Sequence, residues 1–181
     1  VYKRQTINNQ RTDWCFKTEA DPGLNQRSIH YARGKGIGGS SSINAMIYMR
    51  GQASDYARWS EMTGDPIWRW DQTLETYKSL EDYYAGANAW HGDSGEMRVE
   101  RPRVQWDILD AWREAANQQG IPKIEEFNRG DNEGCAYFQM TQKRGERWSM
   151  ADAYLHPIRN RTNLTILTKA QVLKLKLRPI S

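Results

Sequence analysis

Cysteine is nearly absent from this 181-residue sequence: Cys15 and Cys135 stand far apart and form no CxxC pair. Two isolated cysteines point to free thiols in a reducing compartment rather than to a disulfide framework. Histidine is almost as sparse. His30, His91 and His156 have no metal-ligand spacing with one another or with the cysteines, so no metal site is expected. No apolar run approaches the roughly 20 residues a membrane span needs, and no signal peptide opens the chain. A soluble, cytoplasmic protein is the expectation; any membrane association would come through segments outside this sequence. Charge of one sign is lacking too, with 26 Lys+Arg against 22 Asp+Glu. The basic stretches Arg98–Arg103 and Arg159–Arg161 are short and read as solvated surface, whereas nucleic-acid binding wants a sustained basic face. There is no internal repeat and no Gly-x-Ser-x-Gly elbow of a hydrolase. An initiator Met is missing as well. Val1-Tyr2-Lys3-Arg4-Gln5 resembles the translated end of a sequencing-transposon adaptor and is set aside; a truncated reading frame is expected.

What is present is organised by turn signals and short apolar stripes. Residues 6 to 33 are polar, with a turn at Asp21-Pro22-Gly23. A short helix is expected from a Ser54 cap through Arg58 and Trp59. A longer one has Asp71 as N-cap and Leu74, Tyr77, Leu80 and Tyr84 as its stripe. A third carries Ile108, Leu109, Trp112, Ala115 and Ala116 and stops at Gly120, with Pro122 following. Gly95–Val99 and Cys135–Thr141 read as strands. Ser149, with Asp152 behind it, starts a further helix that should end before Pro157. Asn163–Thr168 and Gln171–Leu177 read as two strands, the second with Leu173, Leu175 and Leu177 on one face.

The segment that carries chemistry lies between residues 34 and 49. Gly34-x-Gly36-x-x-Gly39 has dinucleotide-binding spacing, and Asp55 follows at a suggestive distance. That fingerprint must follow a buried strand, however, and Arg27 to Arg33 is too polar to be one. A P-loop is excluded because Lys35 precedes the glycine pair. A flexible linker would not run into the mostly apolar Ile43-Asn44-Ala45-Met46-Ile47-Tyr48-Met49. Glycines followed at once by such a segment suggest backbone pressed against a flat ligand, which the bare Cα atoms of Gly38 and Gly39 would admit.

Arg33-Gly34-Lys35-x-Ile37-Gly38-Gly39-Ser40-Ser41-Ser42-Ile43-Asn44-Ala45-Met46-Ile47-Tyr48-Met49-Arg50-Gly51 resembles the first signature of the glucose-methanol-choline flavoenzymes. The likeness continues in Asp13-Trp14, Pro22-Gly23-Leu24-Asn25, Asp55-Tyr56, Gly64-Asp65, His91-Gly92-Asp93-Ser94-Gly95, Phe127-Asn128, Gly145-Glu146-Arg147-Trp148-Ser149 and Asn163-Leu164-Thr165. It spans nearly all of residues 12 to 177 in order and is nearest to the choline- and alcohol-dehydrogenase branch.

The resemblance implies an α/β fold: a split, Rossmann-like FAD-binding domain with an inserted α+β substrate domain on an antiparallel sheet. Residues 6–60 and 164–181 would belong to the FAD part and 61–163 to the substrate part. It implies FAD contacts at Gly36, Gly38, Gly39, Ser40, Asn44, Ala45, Met46 and Ile47, with Val172 near the adenine end. Some relatives tether FAD through a histidine where Ile43 stands here, so the FAD is expected to be non-covalent. Ala32 and Gln26 replace the family's usual Pro and Gly, a departure expected to change local loops only. The implied reaction is oxidation of a primary alcohol, choline or another, to an aldehyde, with an electron acceptor the sequence does not name. The catalytic His is expected beyond Ser181, and the dinucleotide fingerprint before the signature. His91 and its glycine read as a structural turn, and Arg147 with Ser149 as a helix cap plus a surface ion pair. Two rivals stand beside this reading. One is a small binding module for nucleic acid or another ligand, using its aromatic and basic residues. The other is a nicotinamide-dependent dehydrogenase using Gly34, Gly36 and Gly39.

Overall fold

Asp13 begins the order of the N-terminal region. Its carboxylate is buried and accepts from the backbone N–H groups of Cys15, Asn8 and Arg33 and from His30 Nε2, at 3.0 Å each. Those bonds, the Cys15 N–H foremost, hold its pKa well below the carboxylate range. They also fold residues 8–34 into one hairpin-like unit, in which strand β1 (Phe16–Lys17) pairs antiparallel with β2 (His30–Tyr31). Asp21 caps the intervening 3-10 turn Pro22–Leu24 through Gly23 N–H, as the turn signal predicts. The computed structural model describes residues 6–177. The adaptor-like Val1–Gln5, and the end of the expected return strands at 178–181, lie outside them.

Strand β3 (Ile47–Tyr48) follows the glycine-rich loop and leads into helix α1 (Ala53–Thr63). The Ser54 cap is corrected: Gln52 and Asp55 form a reciprocal capping box, and the helix runs past Trp59 until Gly64 turns left-handed at φ 68°. Helix α2 (Trp70–Leu80) likewise starts two residues earlier than expected, with Arg69 in place of Asp71 at the cap. Asp71 sits in its first turn, where a carboxylate favours the helix dipole, rather than at the cap. Tyr84 falls outside it, because Glu81 turns extended into β4 (Glu81–Tyr83).

β4 pairs parallel with β5 (Met97–Val99), which is shorter than the expected strand. Gly95 is pressed against the chain at Leu80 and Glu81, so the ladder begins after it. Helix α3 (Asp107–Gln118) ends at a left-handed Gly120, as expected. Its stripe is not core, however: Ala116 is buried while Ile108 is 71% exposed and Trp112 63% exposed. The strand expected over Cys135–Thr141 is confined to β6 (Gln139–Met140), since Cys135 bridges Lys123 instead. β7 (Gln142–Lys143) and β8 (Glu146–Arg147) close a hairpin at Gly145.

Ser149 and Asp152 cap each other as expected, yet the turn they start is a π-helical one, Ala151–Leu155. It ends at Leu155, before Pro157 as expected, and a separate 3-10 turn, His156–Ile158, carries the proline. The two expected tail strands are absent from the described residues up to 177. Among the described residues no strand pairs with them, and Leu173 is 89% exposed.

The ladders are each two-stranded among the described residues, three antiparallel and one parallel. The interior is correspondingly polar. Val99 and Ala153 are fully buried, and so are the polar Arg50, Glu81, His91 and Asn128. Such groups are tolerated only when paired, and they are. Arg50 Nη2 meets Glu81 Oε2 at 2.7 Å, and His91 lies between Glu81 at 2.9 Å and Glu126 at 2.7 Å. No helix among the described residues is long and apolar enough to cross a membrane.

Candidate functional site

The glycine-rich loop is shaped by close backbone approach. A Cβ on Gly34 would lie 2.1 Å from the Gly39 carbonyl oxygen, so the loop folds back on itself only with glycine there. Gly38 sits at φ 87° and turns the chain into a single 3-10 turn, Gly39–Ser42. Only the two-residue antiparallel β2 precedes the loop, and a 3-10 turn rather than an α-helix follows it, so Gly34, Gly36 and Gly39 do not form a dinucleotide fingerprint turn. The serines tie the turn inward. Ser41 Oγ donates to Gly38 O at 2.5 Å, and Ser42 Oγ to Ile37 O at 3.0 Å.

Past the turn, the chain alternates between core and surface. Ile43 is 6% exposed, whereas Asn44 and Ile47 lie open. Met46 has φ 63°, a left-handed conformation that costs a non-glycine residue roughly 1–2 kcal/mol. Two bonds hold it there: Met46 N–H donates to Asn44 Oδ1 at 3.0 Å, and Thr141 N–H donates to Met46 O at 2.8 Å. Ile47 and Tyr48 then pair with Met140 and Gln139. Arg50 anchors the end: its N–H donates to Asn128 Oδ1 at 2.8 Å, and its guanidinium reaches Glu81.

Arg147 closes the loop from the other side, and here the sequence expectation is corrected. It neither caps a helix nor pairs with a carboxylate. Its guanidinium donates to Ser41 O at 2.9 Å, Asn44 Oδ1 at 2.8 Å and Asn44 O at 2.8 Å. Met150 N–H adds a bond to Ser41 Oγ at 2.9 Å. The oxygen of the Asn44 amide is thus engaged twice. Its NH2 has no protein partner among the described residues and stands on the open face.

The structure therefore gathers Gly36, Gly38, Gly39, Ser40, Asn44, Ala45, Met46 and Ile47 into one clamped loop. Val172 is elsewhere in kind: it is 76% exposed, in the unpaired tail, with no hydrogen bond joining it to the loop among the described residues. Ala45 and Ile47 also form one wall of an apolar recess of about 340 Å³, whose other side includes Val104, Trp106, Phe138 and Met140.

The histidines are committed elsewhere. His30 meets Asp13 and His156 meets Asp152. His91 is buried between two carboxylates. Burial disfavours its charge, but the bonds to Glu126 and Glu81 outweigh that and raise its pKa. Glu126, pushed up by burial but pulled down by His91, Arg129 and Gln139, settles at about 2. This supports the structural reading of the His91 turn. Sequence reasoning missed its partners Glu81, Glu126 and Arg50, because nothing in their spacing joins them.

The sequence profile of GMC oxidoreductases matches residues 10–179. Human mitochondrial choline dehydrogenase is 40% identical over 156 residues, which cover 86% of this chain and 26% of that protein. An alcohol dehydrogenase (acceptor) of Pseudomonas putida is 38% identical over 92% of this chain and 30% of its own length. Among solved structures, pyridoxine 4-oxidase from Mesorbium loti superposes with a TM-score of 0.86 at 36% identity, covering 91% of this chain and 33% of that one. The chain thus spans about a quarter to a third of the length of the relatives it matches.

Proposed function

The chain belongs to the GMC oxidoreductase family, and from that membership we propose that the whole protein oxidises a small primary alcohol to its aldehyde with FAD lying along residues 36–47. Support for the cofactor comes from the family and from the chemistry of the loop. The observation that carries the assignment is Asn44. Both bonds to its oxygen are made by the protein, so its amide NH2 is fixed outward as a donor for a ligand's acceptor atoms. Flavin offers such acceptors on its polar edge, and Gly36, Gly38 and Gly39 leave room for a flat ring to approach. The residues present fit the group. When bound, FAD supplies the hydride acceptor.

The roles of the chain's own residues follow from placement. Asn44 would donate to the cofactor's polar edge, where negative charge appears on reduction. Ala45 and Ile47 line the open apolar recess, which would take the hydrocarbon body of the alcohol. No histidine of this chain is placed at the loop. The alcohol's proton is therefore taken by a group that these residues do not provide. Ile43 presents only buried hydrocarbon, so the cofactor is held without a covalent bond. Residues 6–60 and 164–181 form the FAD part and 61–163 the substrate part; Val172 is kept as an adenine-side contact within that division.

Supporting evidence for an alcohol comes from the choline and alcohol dehydrogenases and the pyridoxine oxidase that resemble the chain. The test is anaerobic titration of the purified whole protein with choline, benzyl alcohol and pyridoxine. The expected result is a yellow protein bleached by one of these. A colourless protein, or a yellow one bleached by none of them nor by any short alcohol, would overturn the reading.

A further inference from the structure

We propose that Arg147 is the positioning residue of the flavin loop and the fixed positive charge that favours reduced flavin there, acting through Asn44. This rests on the reading that the loop carries FAD. The guanidinium reaches back across 103 residues of sequence to grip the loop, and every hydrogen bond it makes among the described residues goes to a loop oxygen. Its Nε is buried without a partner. Other arginines of the interior and its margins are compensated: Arg50 by Glu81, Arg98 by Asp82 and Glu100, Arg129 by Glu126. Arg147 has no carboxylate partner among the described residues. Burial pulls its pKa down, as expected for a cation that lacks a counter-charge. Arginine nevertheless stays protonated, so the loop lies beside an uncompensated positive charge.

Such a charge costs stability unless something negative comes near it. The open side of Asn44 is where that something would sit. A cation bonded to the amide oxygen also polarises the amide, which makes its NH2 a stronger donor. Both effects are larger for a ligand that has gained negative charge than for a neutral one. Arg147 therefore holds the donor in place and biases the bound flavin toward its reduced form.

Two substitutions in the whole protein separate charge from shape. Arg147→Met removes the charge, and Arg147→Lys keeps the charge without the fork that holds three oxygens. Reduction potentials by anaerobic dye equilibration, and FAD dissociation constants, are measured for both. Arg147→Met is expected to lose roughly tenfold in its preference for reduced over oxidised flavin, a fall of about 30 mV for a two-electron couple. Arg147→Lys is expected to keep most of the potential while releasing FAD more readily. Equal losses of potential in the two variants would reduce Arg147 to a structural strut, and an unchanged potential in Arg147→Met would end the charge argument. A second measurement needs no flavin: exchange of the Met46 amide hydrogen, which is bonded to Asn44. Arg147→Met should speed it, and unchanged exchange would overturn the positioning role. A colourless wild-type protein would sink the FAD reading instead, and Met46 exchange would still decide whether Arg147 clamps the loop.

Discussion

Asn44 has two ends with separate duties, and a pair of substitutions can tell them apart. Alanine removes both the oxygen that holds Met46 and Arg147 and the NH2 that faces outward. Aspartate keeps oxygens for those two donors, removes the outward donor and sets a negative charge against Arg147. Asn44→Asp should therefore leave the loop folded while weakening FAD binding. Loss of a hydrogen bond to a group bearing charge is worth about 1.5–3 kcal/mol, hence tenfold or more in the dissociation constant for reduced flavin. Asn44→Ala should add faster exchange at Met46. An Asn44→Asp protein that retains FAD like the wild type would remove the donor role. Ile43 gives a simpler expectation at the same scale. With only hydrocarbon at that position, acid precipitation of the whole protein should leave all yellow colour in the supernatant. Flavin fluorescence travelling with the polypeptide on a denaturing gel would contradict it.

Elements meet where β4, the turn at His91 and the chain around Glu126 close over Arg50, and that junction titrates. His91 has a raised pKa, so its stabilising contribution is complete below the ordinary imidazole value of 6.5 and fades as pH climbs through the raised one. Glu126 is depressed to about 2, so its contribution is complete above its ordinary 4.5 and is lost as pH falls toward 2. The denaturant midpoint should accordingly be highest between about pH 4.5 and 6.5 and fall on both sides. His91→Asn should lower the unfolding free energy by something on the order of 3 kcal/mol, since two buried carboxylates lose their partner, and should abolish the alkaline limb of the midpoint. A midpoint that stays flat from pH 6 to 9 in the wild type would mean that the imidazolium is not what holds the junction. None of this network was legible in the sequence, because pairing across such separations leaves no local period. What was legible has local causes. The Asp21 turn, the Ser149 and Asp152 cap and the Gly120 stop are each written within a few residues, and each is present. The glycine loop was legible for the same reason, since close backbone approach demands glycine on the spot. The tail strands failed because alternation at Leu173, Leu175 and Leu177 states only that the segment suits a sheet, and not that a neighbouring strand is there to receive it.

At the scale of the molecule, the described chain shows far more apolar surface than its interior accounts for. Leu173, Leu175 and Leu177 are 84% to 91% exposed, and Trp106, Ile108 and Trp112 on and before α3 are more than half exposed. The interior is meanwhile held largely by buried ion pairs, which contribute less net stability than apolar packing of the same volume. Patches of this kind on a soluble chain mark surfaces that other protein covers. The 181 residues expressed by themselves should therefore self-associate. Replacing Leu173, Leu175 and Leu177 together by serine should shift the material toward monomer in sedimentation velocity without altering the far-ultraviolet spectrum, since those side chains touch nothing that orders the rest. The Arg50, Glu81 and His91 junction should stay protected from hydrogen exchange in both forms. A wild-type segment that sediments as a monomer at tens of micromolar, or a triple serine variant that associates as strongly, would show that the exposed leucines do not drive association.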